Sequence, residues 1–257
     1  MAELMLNPLN HPVLLFVISM PALWFGARVG AIFHNRLGKL DANMLEDFKI
    51  VLGATLTLLG LIVGFTFSMA VSRYDQRKNL EEQEANAIGT EYLRADLLPA
   101  PSAARVRSLL KSYLGERMLY FTTSNTQLAE QINVRTARLQ KEMWLAIVGP
   151  ASDQPTPAAA LVVGGMNDVL NSQGYTQAAW WNRIPAAAWA LLFSIGIFCN
   201  VLIGYFAQDR SAFLLWILPI ALAISLFLIA DIDCPLRGVI RVYPQNLESL
   251  ADSLRSQ

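Results

Sequence analysis

Asp231 and Asp233 lie in ADIDCPLRG, residues 230–238, where a long apolar run gives way to Arg237 and Arg241. Carboxylates at such an edge can hold a cation or ring a vestibule that concentrates cations. They can equally form interfacial salt bridges with the two arginines, and of the two readings the salt bridges are preferred. Residues two apart do not share a helix face. Joint action would therefore require the chain to unwind before Pro235, which the proline encourages. A second candidate set lies in EEQEANAIGTEYL, where Glu81, Glu82, Glu84 and Glu91 follow Arg73, Arg77 and Lys78. The preferred reading is a solvated helix face with i to i+4 pairs such as Lys78 with Glu82. The alternative is the wall of a charged vestibule.

The third candidate is a stripe. GATLTLLGLIVGFTFS, residues 53–68, is apolar enough for lipid yet keeps returning to glycine, threonine and serine. At about 100° per residue, Gly53, Thr57, Gly60, Gly64, Ser68 and Val71 fall on one helix face, with Leu56 and Phe67 flanking it. Asp75, Lys78, Glu82 and Gly89 continue that face, while Leu58, Leu59, Ile62, Phe65 and Met69 point elsewhere. Gly60 and Gly64 form a GxxxG pair, so close helix packing is the preferred reading. The competing reading is a conduit: a ring of such stripes leaves room for water, supplies hydroxyls, and lets Phe67, Val71 or Leu56 gate by dewetting. Both hold together if the stripe meets its own copies around an axis.

Other chemistry is poorly supported. The chain has two histidines, His11 and His34, and two widely separated cysteines, Cys199 and Cys234, so neither a metal site nor a disulfide framework is expected. No nucleophile elbow, phosphate loop or kinase set occurs, and no cofactor is implied. An enzyme is not expected; carboxylate chemistry at Asp231 and Asp233 ranks last. Zero net charge gives no global field for nucleic acid.

These residues must be positioned by membrane helices. The chain is 54% hydrophobic and 16% charged, against about a quarter charged in soluble domains. The fold expected is an all-α integral membrane protein with four spans, at about 13–33, 50–71, 184–207 and 212–230. Trp180 and Trp181 suit an interface at the start of the third span, and Gln208–Ser211 would join the last two as an antiparallel hairpin. The first run lacks a basic leader and a small-x-small cleavage site, so it reads as a retained helix. Residues 72–183 form a polar insert without strand character. Helix should run straight out of the second span as far as Pro99. Two further helices follow, with Val106, Leu109, Leu110, Tyr113 and Leu114, then Leu128, Ile132, Leu139 and Met143, at helical spacing. Gly149–Pro157 reads as a loop, a last helix covers about 158–171, and residues 231–257 form a tail.

Four spans place both termini and the insert on one side. That side carries Arg73, Arg77, Lys78, Arg183, Arg237 and Arg241 near the membrane, against Arg36, Lys39, Lys49 and Arg210 on the other. The excess puts termini and insert in the cytoplasm.

The stretch EDFKIVLGATLTLLGLIVGFTFSMAVSRYDQRKNLEEQEANAIGTEYLRADLLP, followed downstream by DIDCPLRGVIRVYPQNLESL, resembles the bacterial membrane family described as bestrophin-like. GFTFS-x-A-x-SRYD and D-x-D-x-P-x-x-G carry most of the resemblance, which covers nearly the whole chain. A more distant similarity is to bestrophin ion channels, pentamers with two spans, a cytosolic helical stretch, two more spans and a cytosolic tail. The resemblance implies a pentamer whose neck is lined by the second span, here the face from Gly60 through Gly64 and Phe67 to Val71. Tyr74-Asp75 is similar to a Tyr-Asp pair after that span. The acidic calcium-clasp run of the animal channels is missing, so neither calcium gating nor ion choice transfers.

The expectation is thus an oligomeric, pentameric ion channel of the bacterial inner membrane. Thr57, Gly60, Gly64, Phe67, Ser68 and Val71 would line the pore. Asp75, Glu82, Asp231 and Asp233 would attract ions in a vestibule. Its partners would be inorganic ions, the lipid bilayer and further copies of itself. The rival is a non-conducting scaffold or sensor whose stripe is helix packing.

Overall fold

Between Asp41 and Pro99 nothing in the sequence stops a helix, and the chain there is helical almost throughout. The computed structural model describes residues 11–37, 41–206 and 213–256, and every element among them is a helix. These are α1 (Pro12–Leu37), α2 (Ala42–Arg94), a 3₁₀ turn (Ala95–Leu97), α3 (Ala100–Thr122), α4 (Thr126–Asp153), α5 (Pro157–Trp181), α6 (Ala186–Phe206), α7 (Leu214–Asp233) and α8 (Gln245–Arg255). Four helices, α1, α2, α6 and α7, are long and apolar enough to cross a membrane. The expected all-α class with four spans is what is found.

At 53 residues, α2 is about 80 Å long at 1.5 Å per residue. A hydrocarbon core is about 30 Å thick. Only the apolar part, which ends near Val71, suits lipid. The remainder carries Arg73, Asp75, Arg77, Lys78, Glu81, Glu82, Glu84, Glu91 and Arg94 and lies outside it. The helix gives out through the 3₁₀ turn, and Leu98 is extended (φ −91°, ψ 160°), the conformation a following proline imposes.

The chain divides into two units: residues to Ser72 with Arg183–Ile240, and Arg73–Asn182 with Arg241–Gln257. In the first, α1, α6 and α7 pack around Leu23, Ala27, Leu192, Cys199, Ala223 and Leu226, all fully buried. Glycine makes this packing possible. A Cβ on Gly204 would strike the backbone of Ala27, one on Gly30 would strike the backbone of Val201 and Tyr205, and one on Gly196 would press on Leu222. Backbones approach this closely in membranes where side chains are missing. Trp24 stacks on Trp216 (5.2 Å), and Phe16 meets Phe227 edge-on (6.1 Å).

In the second unit, α3, α4, α5 and α8 gather with the charged end of α2. Val106, Leu110 and Tyr113 of α3, Ile132, Met143 and Ile147 of α4, Val162, Met166 and Val169 of α5, and Leu247 of α8 are fully buried. Helix starts are chemically marked: Asn125 Oδ1 accepts from the amides of Gln127 (2.9 Å) and Leu128 (3.3 Å), and Thr156 Oγ1 accepts from Ala159 N (3.1 Å).

Three local expectations need correction. The loop expected at 149–157 shrinks to Gln154–Thr156, because Pro150 sits inside α4 and the helix continues past it to Asp153. So close to the helix end, a proline removes one amide donor without breaking a long ladder. The last insert helix runs ten residues beyond Asn171, to Trp181, because Ser172, Thr176, Ala179 and Trp180 keep a buried face. Trp180 is no interface residue: it is buried against Tyr120 (4.7 Å) and Phe121 (5.4 Å), whereas Trp181 is exposed. The readings made for Met1–Asn10, Lys39, the Gln208–Ser211 connection with Arg210, and the span ends at Ala207 and Ala212 lie outside the described residues.

Candidate functional site

The small-residue face of α2 is bare. Thr57, Gly60, Gly64, Phe67 and Ser68 are all exposed, Phe67 at 42%, and Val71 is half-buried. A Cβ added at Gly53, Gly60 or Gly64 would meet nothing within 4 Å among the described residues. This contrasts with Gly30, Gly196 and Gly204, where the added carbon collides with a neighbouring helix. The GxxxG packing read from Gly60 and Gly64 is therefore not used among the described residues. Gly26 and Gly30 form another GxxxG pair, and that one faces α6: a Cβ at Gly30 would strike the backbone of Val201, and one at Gly26 would make ordinary contact with Ile197 and Asn200. The sequence held both pairs, and only the spatial neighbours distinguish them.

The stripe's polar groups are partly spent. Thr57 Oγ1 donates to Gly53 O (2.9 Å), the back-bonding that lets a hydroxyl sit in an apolar helix. The Thr57 oxygen keeps acceptor capacity toward the open side. Farther along, Asp75, Lys78 and Glu82 are exposed.

Their neighbours are not. Glu81, Glu84 and Glu91 are buried, so the reading of a wholly solvated glutamate face holds for Glu82 alone. Arg77, Glu81, Glu84, Ile88, Glu91 and Ala95 recur every three or four residues, and this stripe is buried within the second unit. Arg117 Nε donates to Glu84 Oε1, Arg117 Nη2 to Glu84 Oε2 (3.3 Å), and Thr176 Oγ1 to Glu84 Oε2 (3.0 Å). The guanidinium also lies over Tyr120, 4.8 Å from its ring centre. Burial works against the charge on Arg117, but the Glu84 carboxylate more than offsets it, and the Arg117 pKa ends above its ordinary value. Burial first, and then Glu84, push the Tyr113 phenol up.

Glu81 serves α8. Its carboxylate accepts from Asn246 N (3.0 Å), Leu247 N (2.9 Å) and Asn246 Nδ2 (2.7 Å), so it caps that helix from another element. At the far end Lys111 Nζ donates to Leu254 O (2.9 Å). An anion at the amino end and a cation at the carboxyl end both complement the helix dipole. Glu91 has no such role. It is fully buried, and neither carboxylate oxygen has a hydrogen-bond partner among the described residues.

Asp231 and Asp233 are 2% and 1% exposed. Asp231 accepts from Val239 N (2.7 Å) and Ile240 N (2.8 Å). Asp233 accepts from Ile184 N (3.2 Å) and Arg183 Nε (3.3 Å). Both stand in the last turn of α7, and the chain turns extended only at Cys234. One carboxylate thus holds the chain leaving α7 and the other holds the chain entering α6. The motif glycine completes the turn: a Cβ on Gly238 would strike the carbonyls of Asp231 and Cys234, and Gly238 N donates to Cys234 O (3.2 Å). Arg237 reaches His11 Nε2 (2.6 Å). The two aspartates are joined to backbone and side chains of their own unit rather than set out toward solvent.

Among the described residues no group of histidine, cysteine and carboxylate side chains could hold a metal ion. The site offers a bare, small-residue helix face and a charged extension.

No curated protein sequence matches the chain. Crystal structures of substituted forms of a bacterial bestrophin homologue from Klebsiella pneumoniae are similar in fold. One aligns with TM-score 0.66 at 15% identity over 94% of each chain, and another with TM-score 0.61 at 15% identity over 95% of this chain and 96% of that one. A further crystal structure of a membrane protein aligns with TM-score 0.65 at 13% identity, covering 94% of this chain and 96% of that one. The bestrophin-like domain model matches residues 23–247. This chain belongs to the bestrophin-like family of membrane proteins.

Proposed function

We propose that the protein is an oligomeric ion channel of the bacterial inner membrane, a pentamer by its similarity to bestrophins, with α2 lining the pore. The observation that carries this is the bare face: a Cβ added at Gly60 or Gly64 would meet nothing within 4 Å among the described residues, while Gly30, Gly196 and Gly204 of the other apolar helices are closed in by neighbouring helices. Copies of the chain gathered around that face would enclose a path bounded by Thr57, Gly60, Gly64 and Ser68, with Phe67 and Val71 as its apolar constriction. Asp75 and Glu82, exposed on the charged extension, would set the vestibule potential. Asp231 and Asp233 are assigned instead to holding the ends of α6 and α7. Termini and insert face the cytoplasm in this reading, by the excess of arginine and lysine on that side. The ligands are inorganic ions; no cofactor is required.

Planar-bilayer recording of the purified protein under a KCl gradient tests it. Discrete openings are expected, with Gly64→Leu lowering and Phe67→Ala raising conductance. Unchanged conductance in both variants, with assembly intact, refutes the pore assignment. The rival, a non-conducting scaffold or sensor, draws on the same bare face as a site of contact between copies. It is favoured if the purified protein is a monomer or dimer, since neither can ring a path.

A further inference from the structure

Glu91 is the one fully buried carboxylate among the described residues with both oxygens unpartnered. It lies about twenty residues beyond the apolar part of α2, on the face turned toward α5. Gly165 of α5 is pressed so close that an added Cβ would collide with Glu91 Oε2 and Arg94 Nη1. The charged groups facing it are Arg94 on its own helix and Asp168 on α5. On the adjoining 3₁₀ turn, Asp96 is engaged by Arg107 of α3.

A bare carboxylate in this setting is expensive, because burial removes water from two oxygens and no donor replaces it. Glycine on the opposing helix leaves no side chain to supply one. A metal cation would have to fit beside the Arg94 guanidinium and through a contact with no spare room. A proton needs neither space nor further ligands. Burial, opposed by Arg94 and reinforced by Asp168, pushes the Glu91 pKa up to about 8 from its ordinary 4.5.

We propose that Glu91 is a proton-binding site at the α2–α5 seam, which stays closed while the carboxyl group is protonated and loosens when it ionises. The inference does not depend on whether the chain conducts. It makes the cytoplasm-facing insert of the proposed channel a sensor of alkaline pH.

The sign follows from linkage. The folded chain holds a proton that the unfolded chain has released, across the window from pH 4.5 to about 8. The stabilisation is complete below that window and is lost as pH rises through it, by at most about tenfold in the folded-to-unfolded ratio per pH unit. Thermal unfolding of the full chain in detergent, at pH values from about 4.5 to about 9.5, should therefore show wild type falling relative to Glu91→Gln until about pH 8 and level thereafter. Asp168→Asn removes a like charge from an exposed position and should move the levelling point to lower pH. A wild-type curve parallel to that of Glu91→Gln throughout overturns the proposal. Infrared titration serves if Glu91→Gln fails to fold. Wild type should then show a protonated-acid carbonyl band at neutral pH that vanishes at about pH 9.5 and, in Asp168→Asn, vanishes sooner. Absence of that band overturns the proposal.

Discussion

The same substitution, glycine to alanine, should have opposite effects on α2 and α6. In Gly204→Ala the new methyl group would lie 2.6 Å from the Ala27 carbonyl carbon and 2.9 Å from its Cα, besides striking the carbonyl oxygen. These are backbone atoms of α1, so no rotamer change relieves the clash; α1 and α6 must part along their seam. Overpacking of this kind costs about 1–3 kcal/mol, and a rigid backbone contact belongs at the upper end. In Gly60→Ala the new methyl group meets nothing within 4 Å among the described residues. Only helix propensity changes, in favour of alanine by up to about 1 kcal/mol in water. The two variants should therefore differ by roughly 3 kcal/mol, about a hundredfold in the unfolding equilibrium. The assay is denaturant unfolding of each variant in detergent, dilute enough to separate any copies. Gly204→Ala should be strongly destabilised and Gly60→Ala unchanged or slightly stabilised. A cross-linking measurement on the assembled protein should then show Gly60→Ala altering association alone. Equal destabilisation by both substitutions would refute the argument, because the stripe would then be packed within the chain.

Two further predictions concern the second unit. Arg117→Met strands the Glu84 carboxylate in a site with no exposure, leaving Thr176 as its remaining side-chain donor, and should cost about 3–5 kcal/mol in unfolding free energy; pairing it with Glu84→Leu should recover most of that loss, and no recovery would mean the pair is not the source. Glu81→Gln keeps the shape but weakens the cap on α8, so hydrogen exchange at the amides of Asn246 and Leu247 should quicken while the core of α3 stays protected; unchanged exchange would mean α8 is held by its leucines alone.

How much of this was legible beforehand follows from particular residues. Val106, Leu110, Tyr113, Ile132 and Met143 announced buried faces by their spacing, and all five are buried. Leu128 has the same spacing and is 39% exposed, while the adjacent Ala129 is buried, so at the start of α4 the packed face falls one residue further on. Glu81, Glu84 and Glu91 looked like solvated glutamates. Their burial was written only in company: Arg77, Ala85, Ile88 and Ala95 share their face, and a charged residue alternating with alanine and isoleucine at helical spacing marks a packed stripe as well as an exposed one. Asp231 and Asp233 were legible as special but not as anchors, since their amide partners lie up to 49 positions away along the chain.

The sequence by itself determined most of the elements. Apolar runs of membrane length, helix formers without breakers and the proline at 99 are local properties, and local chemistry suffices to place most of the helices and to hand over the family's motifs. Only the tertiary structure decided which faces meet. Gly26–Gly30 and Gly60–Gly64 are indistinguishable as strings, yet one pair faces α6, with Gly30 pressed against its backbone, and the other meets nothing within 4 Å among the described residues. Glu82 and Glu84 are two residues apart, yet one is solvated and the other grips Arg117. Helix formation depends on neighbours within four residues, whereas burial depends on what the rest of the chain brings to that face, and it is burial that separates a packing glycine from one left free to line a path.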